Sequence, residues 1–439
     1  MNFLGLRIAT FNLILAIVTL PPLAGILLME NEAQGLNVAD VGHPNGASLA
    51  YSVHLLVMFS MYALVWWLLR PSETACPTPV KRDAPNQQRM FQRLGWSALL
   101  VNIGVGFFLL FVVGAADVVR GVIGKGEFRA NLGELGVIAF MSRDFISPMV
   151  CALVAFVYRD CEPRPRDRAL LLVNFAVTFL VTSVWGAKAT GILKVMPALL
   201  LVVPTTSVLA AIILAGGGFV TAVCFGMLYE DLGLGDAVSF VMERATVGAG
   251  DSAWKIWDVR EITDAFPPYW PTLVSAVGGR LASALGLFVR REGYDDWYGY
   301  DFSAVATLVT KEYAGTVEVM TSNVTATVFG EGVIALGIPG FLVMSALAGL
   351  VIAVNRLALR SAEKRRRPLL AIVAANFFAF STWSWLDSGG ITSLLNLPHL
   401  LSYVVTILLA SWLLFISRMS WRRQEAPTVG TPLLSESSR

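Results

Sequence analysis

Apolar runs with no charged residue for about twenty positions at a stretch divide nearly all of this chain, and they constrain it more than any other feature. Residues 8–29, 48–69 and 169–185 contain no Asp, Glu, Lys or Arg at all. A membrane span needs about 20 mostly apolar residues, and bare backbone polar groups in lipid force such a span into a helix. Ten segments qualify: 8–29, 48–69, 96–117, 137–158, 169–185, 190–205, 206–228, 333–354, 369–386 and 398–417. Composition agrees. The 439 residues are 56% hydrophobic and 15% charged, against about 45–50% and about 25% in soluble domains. The expected fold is an all-α polytopic membrane protein of about ten transmembrane helices.

The first segment ends in "PPLAGILLMENE" and lacks a small-residue cleavage site, so it reads as a retained helix. Between 190–205 and 206–228 the only turn signal is "VPTT" at 203–206. Orientation follows from the loops. Arg7, the loops 70–93, 159–168 and 355–368, and the tail hold well over half of the 33 Lys and Arg residues. All fall on one side if ten helices alternate and both termini are cytoplasmic. Segment 229–332 lies on the other side and is acidic, with about twice as many acids as bases, and rich in Trp and Tyr. Within it, 271–289 has the apolar spacing of a helix lying on the membrane surface. The organisation is therefore 1–228 with seven helices, 229–332 as an extracytoplasmic helical subdomain, 333–417 with three helices, and a polar tail at 418–439.

Other function classes fall away. A net charge of +2 gives no basic face for nucleic acid. Four cysteines make no disulfide scaffold and are expected as free thiols, and neither they nor the three histidines show metal-ligand spacing. No metal and no cofactor is expected. The outer glycine-rich and basic stretches, by contrast, suit a phosphate. Arg143 and Asp144 stand inside the fourth span, where a charge is costly; an ion pair with a headgroup-seeking arginine is the plain alternative. Before them, "RGVIGKGEFRANLGELG" (120–136) carries Arg129 among glycines. "VWGAKATGILK" (184–194) places Lys188 and Lys194 at a short outer turn, where a helix N-terminus adds partial positive charge. Arg244, in "MERATVGAGDSAW", suits a bidentate grip on phosphate, and Arg280 interrupts an apolar helical stretch. His399 and Asp387 sit at the same outer depth and, with Glu318 and Glu331, are candidate general bases. His54 reads as a hydrogen-bonded core residue.

In this order the segments resemble the Wzy-type oligosaccharide repeat-unit polymerases, relatives of the O-antigen ligases. "GKGEFRANLGELGVIAFMSRDFISP" (124–148) comes first, then "GAKATGILKVMPALLLVV" (186–203), which is similar to that family's G-[SA]-[KR]-[GA]-T turn. "RATVGAG" (244–250) resembles the arginine that opens the large outer loop, and "TSNVTATVFGEGVIALGIPGFLVMSALAGL" (321–350) its closing segment. The sequence departs from the pattern at 266–280, where "FPPYWPTLVSAVGGR" lacks the usual Pro-Arg and Lys-Pro pair. The resemblance implies a metal-independent glycosyltransferase with a GT-C-like fold in the bacterial inner membrane. It would polymerise polyprenyl-diphosphate-linked oligosaccharides at the periplasmic face, with membrane lipids around it and a flippase and a chain-length regulator as partners. Lys188, Arg244, Arg143, Arg129 and Arg280 would hold the diphosphates. An O-antigen ligase is the near alternative, although 229–332 lacks the histidine usual in the ligase outer loop. A secondary transporter or flippase is the distant one, and would show broken helices meeting inside the membrane.

Overall fold

The computed structural model describes residues 7–31, 41–69, 84–124, 127–128, 132, 135–159, 161, 164–184, 190–207, 216–224, 226–227, 232–261, 327–395 and 397–422. Among them, seven helical segments are long and apolar enough to cross a membrane: Thr10–Glu30, Ala47–Leu69, Gln87–Val112, Leu135–Tyr158, Thr327–Lys364, Pro368–Ser388 and Thr392–Ser417. The protein is thus an all-α polytopic membrane protein by length and composition of its helices.

Several spans are not simple rods, and each departure has a local cause. The first is kinked into α1 (Thr10–Thr19) and α2 (Pro21–Glu30), because Pro21 and Pro22 lack the N–H groups that would continue α1. Helix α3 (Ala47–Leu69) is continuous. Helix α4 (Ala84–Phe107) begins well before the apolar run at 96 and ends in a π-turn, Phe108–Val112. It is followed by the short α5 (Ala115–Val119), after Gly114 at φ 84°. The next span joins α6 (Leu135–Met141) to α7 (Ser147–Tyr158) through a second π-turn, Ser142–Ile146. Pro148 follows that turn and cannot donate to the preceding carbonyls, a recognised cause of a local change of helical pitch.

Helix α8 (Pro165–Ser183) leads to α9 (Thr190–Val202). Here one expectation needs correction. The "VPTT" segment is not a turn between two spans, and a seventh span does not start at 206. Instead Thr205–Ser207 forms strand β2, antiparallel to β1 (Arg7–Ala9), with Ile8 opposite Thr206. The amide of Thr10 donates to Pro204 O at 3.1 Å, and the Thr10 hydroxyl donates to Val203 O. Residues 216–224 are helical.

Helix α10 (Leu234–Asp258) opens the segment expected to be extracytoplasmic. It packs along α2 through facing glycines: a Cβ on Gly250 would sit 2.7 Å from Gly25 Cα, and one on Gly25 would sit 2.0 Å from Thr246 O. Small residues permit this approach.

Helix α11 (Thr327–Lys364) breaks at Leu336 and Gly337, the latter at φ 68°. A Cβ on Gly340 would lie 2.1 Å from Gly332 O, and one on Gly332 would lie 2.5 Å from Phe341 Cα. Straight helix cannot bring residues eight or nine apart into contact, so the chain doubles back as a hairpin. Its first limb, 327–334, is buried throughout. The span expected at 333–354 is therefore the second limb of a re-entrant pair. The remaining span joins α12 (Pro368–Asn376) to α13 (Trp383–Ser388) through a third π-turn, Phe377–Thr382. Gly389 and Gly390, both at positive φ, separate it from α14 (Thr392–Leu395) and α15 (Leu397–Arg422).

Ends that the Lys/Arg bias assigns to one side are adjacent. Gln88 and Gln92 donate to the Asp167 carboxylate at 2.7 and 2.9 Å, Arg159 pairs with Glu363 at 2.9 Å, and β1 pairs with β2. His54 is a core residue as expected, 3% exposed, with Nδ1 2.7 Å from Ser345 Oγ.

Candidate functional site

The second π-turn carries Arg143 and Asp144. On an α-helix, neighbours in sequence do not face each other. In this wider turn the guanidinium reaches round and grips the adjacent carboxylate with two parallel bonds, Nε to Oδ1 at 2.7 Å and Nη2 to Oδ2 at 2.9 Å. Bidentate pairing of this kind is strong and directional. Lys194 of α9 completes the group, with Nζ 3.5 Å from Asp144 Oδ1. Two cations therefore share one carboxylate, leaving one excess positive charge. The headgroup-seeking alternative for Arg143 does not hold, because the residue is only 5% exposed.

Aromatic rings wall the cluster. Lys194 Nζ lies 3.9 Å from the Phe380 ring centroid and 6.0 Å from that of Phe145, close enough for the ammonium to interact with the ring faces. Phe145 also touches His399 of α15, with centroids 5.2 Å apart, and Tyr403, at 5.4 Å. The Tyr403 hydroxyl is 3.4 Å from Ser381 Oγ. His399 is half-buried, and its Nδ1 has no hydrogen-bond partner among the described residues. The third π-turn supplies Phe380 and Ser381, so two of the three helix irregularities meet here. Segments flagged separately in the sequence, "SRDFISP", "GILK" and "LPHLL", thus converge.

The other candidates separate. Glu331 is fully buried on the first limb of the hairpin. Its carboxylate accepts from Trp385 Nε1 at 2.6 Å and from the Ile391 amide at 2.7 Å, which makes it a bracket between the hairpin and the Gly389–Gly390 break. Asp387 is half-buried, with Ser388 Oγ at 3.5 Å. Arg244 lies on an exposed face of α10, its guanidinium 5.1 Å from the Phe240 ring one turn earlier. Lys188, Arg129, Arg280 and Glu318 lie outside the described residues. Lys194, not singled out in the sequence, is the lysine seen to join the cluster. A charged residue within an otherwise apolar helix was the available signal. Phe145, Phe380 and Tyr403 carried none, since an apolar span is full of aromatics.

A second polar group ties α10 to the α2–α3 connection. Asp258 accepts from His43 Nε2 at 2.9 Å, Asn45 Nδ2 at 3.2 Å and Lys255 Nζ at 3.1 Å. Burial works against its charged form, but the bonds from His43, Asn45 and Lys255 prevail and hold its carboxyl below the usual range. Trp257 Nε1 donates to Asn45 O at 3.1 Å.

What fold and site together define is a polytopic helical membrane protein with a buried, aromatic-walled cation cluster beside an unpartnered histidine nitrogen. Comparison with protein-family models, with curated proteins and with solved structures returns no match.

Proposed function

We propose that the protein is a membrane glycosyltransferase that polymerises polyprenyl-diphosphate-linked oligosaccharide repeat units at the periplasmic face of the bacterial inner membrane. The observation that carries this reading is the convergence of Arg143, Lys194 and His399 from three segments, two of which belong to the stretches that resemble the Wzy-type polymerases. In the reaction, an acceptor sugar hydroxyl attacks the anomeric carbon of the donor chain. A C–O bond forms there as the bond to the diphosphate breaks, and the electron pair leaves with the lipid diphosphate. The excess positive charge of the cluster attracts that departing anion. His399 accepts the hydroxyl proton through its unpartnered nitrogen. Lys188, Arg129, Arg244 and Arg280 supply further diphosphate contacts, ten spans complete the GT-C-like fold, and a flippase and a chain-length regulator work beside it.

A second reading, a transporter or flippase of lipid-linked sugars, is favoured by one observation: Glu331 bonds across the breaks of two discontinuous spans, an arrangement transporters use. The two separate in proteoliposomes loaded with a polyprenyl-diphosphate oligosaccharide and excess EDTA. The polymerase reading expects a ladder of longer products, lost in Lys194→Ala. Translocation of unchanged substrate with no ladder would replace it by the transporter reading. A ladder that needs a divalent ion would remove the basic-residue mechanism, and transfer to a lipid A core alone would make the protein a ligase.

A further inference from the structure

At the opposite ends of α3 and α11 two other cations stand together without sharing an acid. Arg356 and Arg360 are one turn apart on α11, and both guanidiniums lie against the same indole: Arg356 Cζ is 4.1 Å and Arg360 Cζ is 5.1 Å from the Trp66 centroid. Arg356 is further fixed by neutral groups. It donates to the Tyr62 hydroxyl, which donates in turn to Asn12 Oδ1 at 2.9 Å, and it lies 5.9 Å from the Phe11 ring. Among the described residues no carboxylate pairs with Arg356, and the nearby Glu363 binds Arg159.

The position matches a lipid headgroup. Arg356 precedes the end of α11 at Lys364 by two turns, roughly 12 Å at about 1.5 Å per residue, and Trp66 is within a turn of the end of α3 at Leu69. Both arginines and Trp66 are half-buried, while their neighbours Leu64, Trp67, Leu68 and Leu69 are 49–63% exposed on an apolar surface. Holding two like charges on one ring costs energy unless an anion lies between them, and a guanidinium pair offers a phosphodiester several N–H donors.

We infer that the Arg356–Trp66–Arg360 cleft binds the phosphodiester of one anionic glycerophospholipid, with the acyl chains along the exposed leucines of α3. A zwitterionic lipid fits less well, because its ammonium would meet the two guanidiniums. Basic clefts between spans recognise anionic headgroups in this way. The site is independent of the glycosyltransferase reading.

The test is native mass spectrometry of the detergent-purified full chain titrated with phosphatidylglycerol, phosphatidylcholine or inorganic phosphate. The wild type should retain phosphatidylglycerol in preference to phosphatidylcholine, and inorganic phosphate should not displace it. R356Q/R360Q should weaken retention at least about tenfold, the loss of a charge-assisted hydrogen bond. The triple variant R365Q/R366Q/R367Q, which removes the basic run just past the helix, should retain the lipid. If R356Q/R360Q fails to fold, W66L and R360Q are read instead and should show the same loss. Equal retention of the two lipids, undiminished retention in the cleft variants, or loss in the triple variant alone overturns the inference. Displacement by inorganic phosphate would make it a soluble-anion site.

Discussion

Two pairs of cations, at opposite ends of the helix bundle, solve the same problem differently. Arg143 and Lys194 share a carboxylate, Asp144; Arg356 and Arg360 share an indole, Trp66. In the first, protein itself supplies most of the neutralisation, so the pair can sit where Arg143 is 5% exposed. In the second it does not, and both arginines stay half-exposed near the helix ends. The contrast teaches that a charge inside an apolar segment is placed by its partner. A carboxylate permits burial, whereas a ring face permits only an interfacial position, because a quadrupole offsets far less of the desolvation cost than an opposite charge.

The sharpest way to break this comparison is to remove the shared acid. Asp144→Asn leaves two buried cations facing each other, and should cost about 3–5 kcal/mol, read as a large drop in the unfolding temperature in detergent. A near-wild-type melt would mean that the cluster is more hydrated than the structure implies. Next is function at the same site. Lys194→Ala preserves the Arg143–Asp144 pair, so folding should hold while polymer formation falls roughly ten- to a hundred-fold, the worth of a charge-assisted contact of about 1.5–3 kcal/mol. Product length and unfolding temperature measured together separate chemistry from stability.

On the other side of the comparison, Trp66→Leu should cost only about 0.5–2 kcal/mol, the range for a cation over a ring. Thermal unfolding in lipid-free detergent measures it. A loss as large as that of Asp144→Asn would show that the ring carries more than an interfacial contact. The smallest effect belongs to the exposed-side cluster around Asp258. Its carboxyl lies below the ordinary range in the folded protein. The stability it contributes is therefore present above the ordinary carboxylate value and is lost as pH falls through the lowered folded value. With His43 nearly half exposed, solvent screening keeps this to about 1 kcal/mol or less. Unfolding temperatures followed from about pH 6 to about pH 3 should show an acid limb that Asp258→Asn flattens; an unchanged limb would assign it to other carboxyls.

How much of this could be read from the residues depends on the range of the force involved. Apolar runs of about twenty residues can do nothing else in lipid than form helices, and so Ala47–Leu69, Leu135–Tyr158 and Pro368–Ser388 lie close to the segments expected. The glycines of "GIPG" were legible as sites of close approach. That they fold the helix back on itself was not, because a hairpin and a straight pair of helices place the same demand on glycine. "VPTT" carried a turn signal from Pro204, yet it forms a strand because Arg7–Ala9, nearly two hundred residues earlier, offers its backbone edge. Composition cannot register such a partner.

The sequence by itself determined that the chain is a helical membrane protein, that its basic residues gather in particular loops, and that Arg143, Asp144 and Lys194 would need compensation wherever they came to lie. Only tertiary structure decided that they compensate one another, that His399 joins them across Phe145, and that Glu331 is a buried bracket while Arg244 faces outward. The physical reason is that hydrophobic burial acts on each segment locally, through area and period. Pairing of charges falls off within a few ångströms and is decided only when helix packing has brought remote segments side by side.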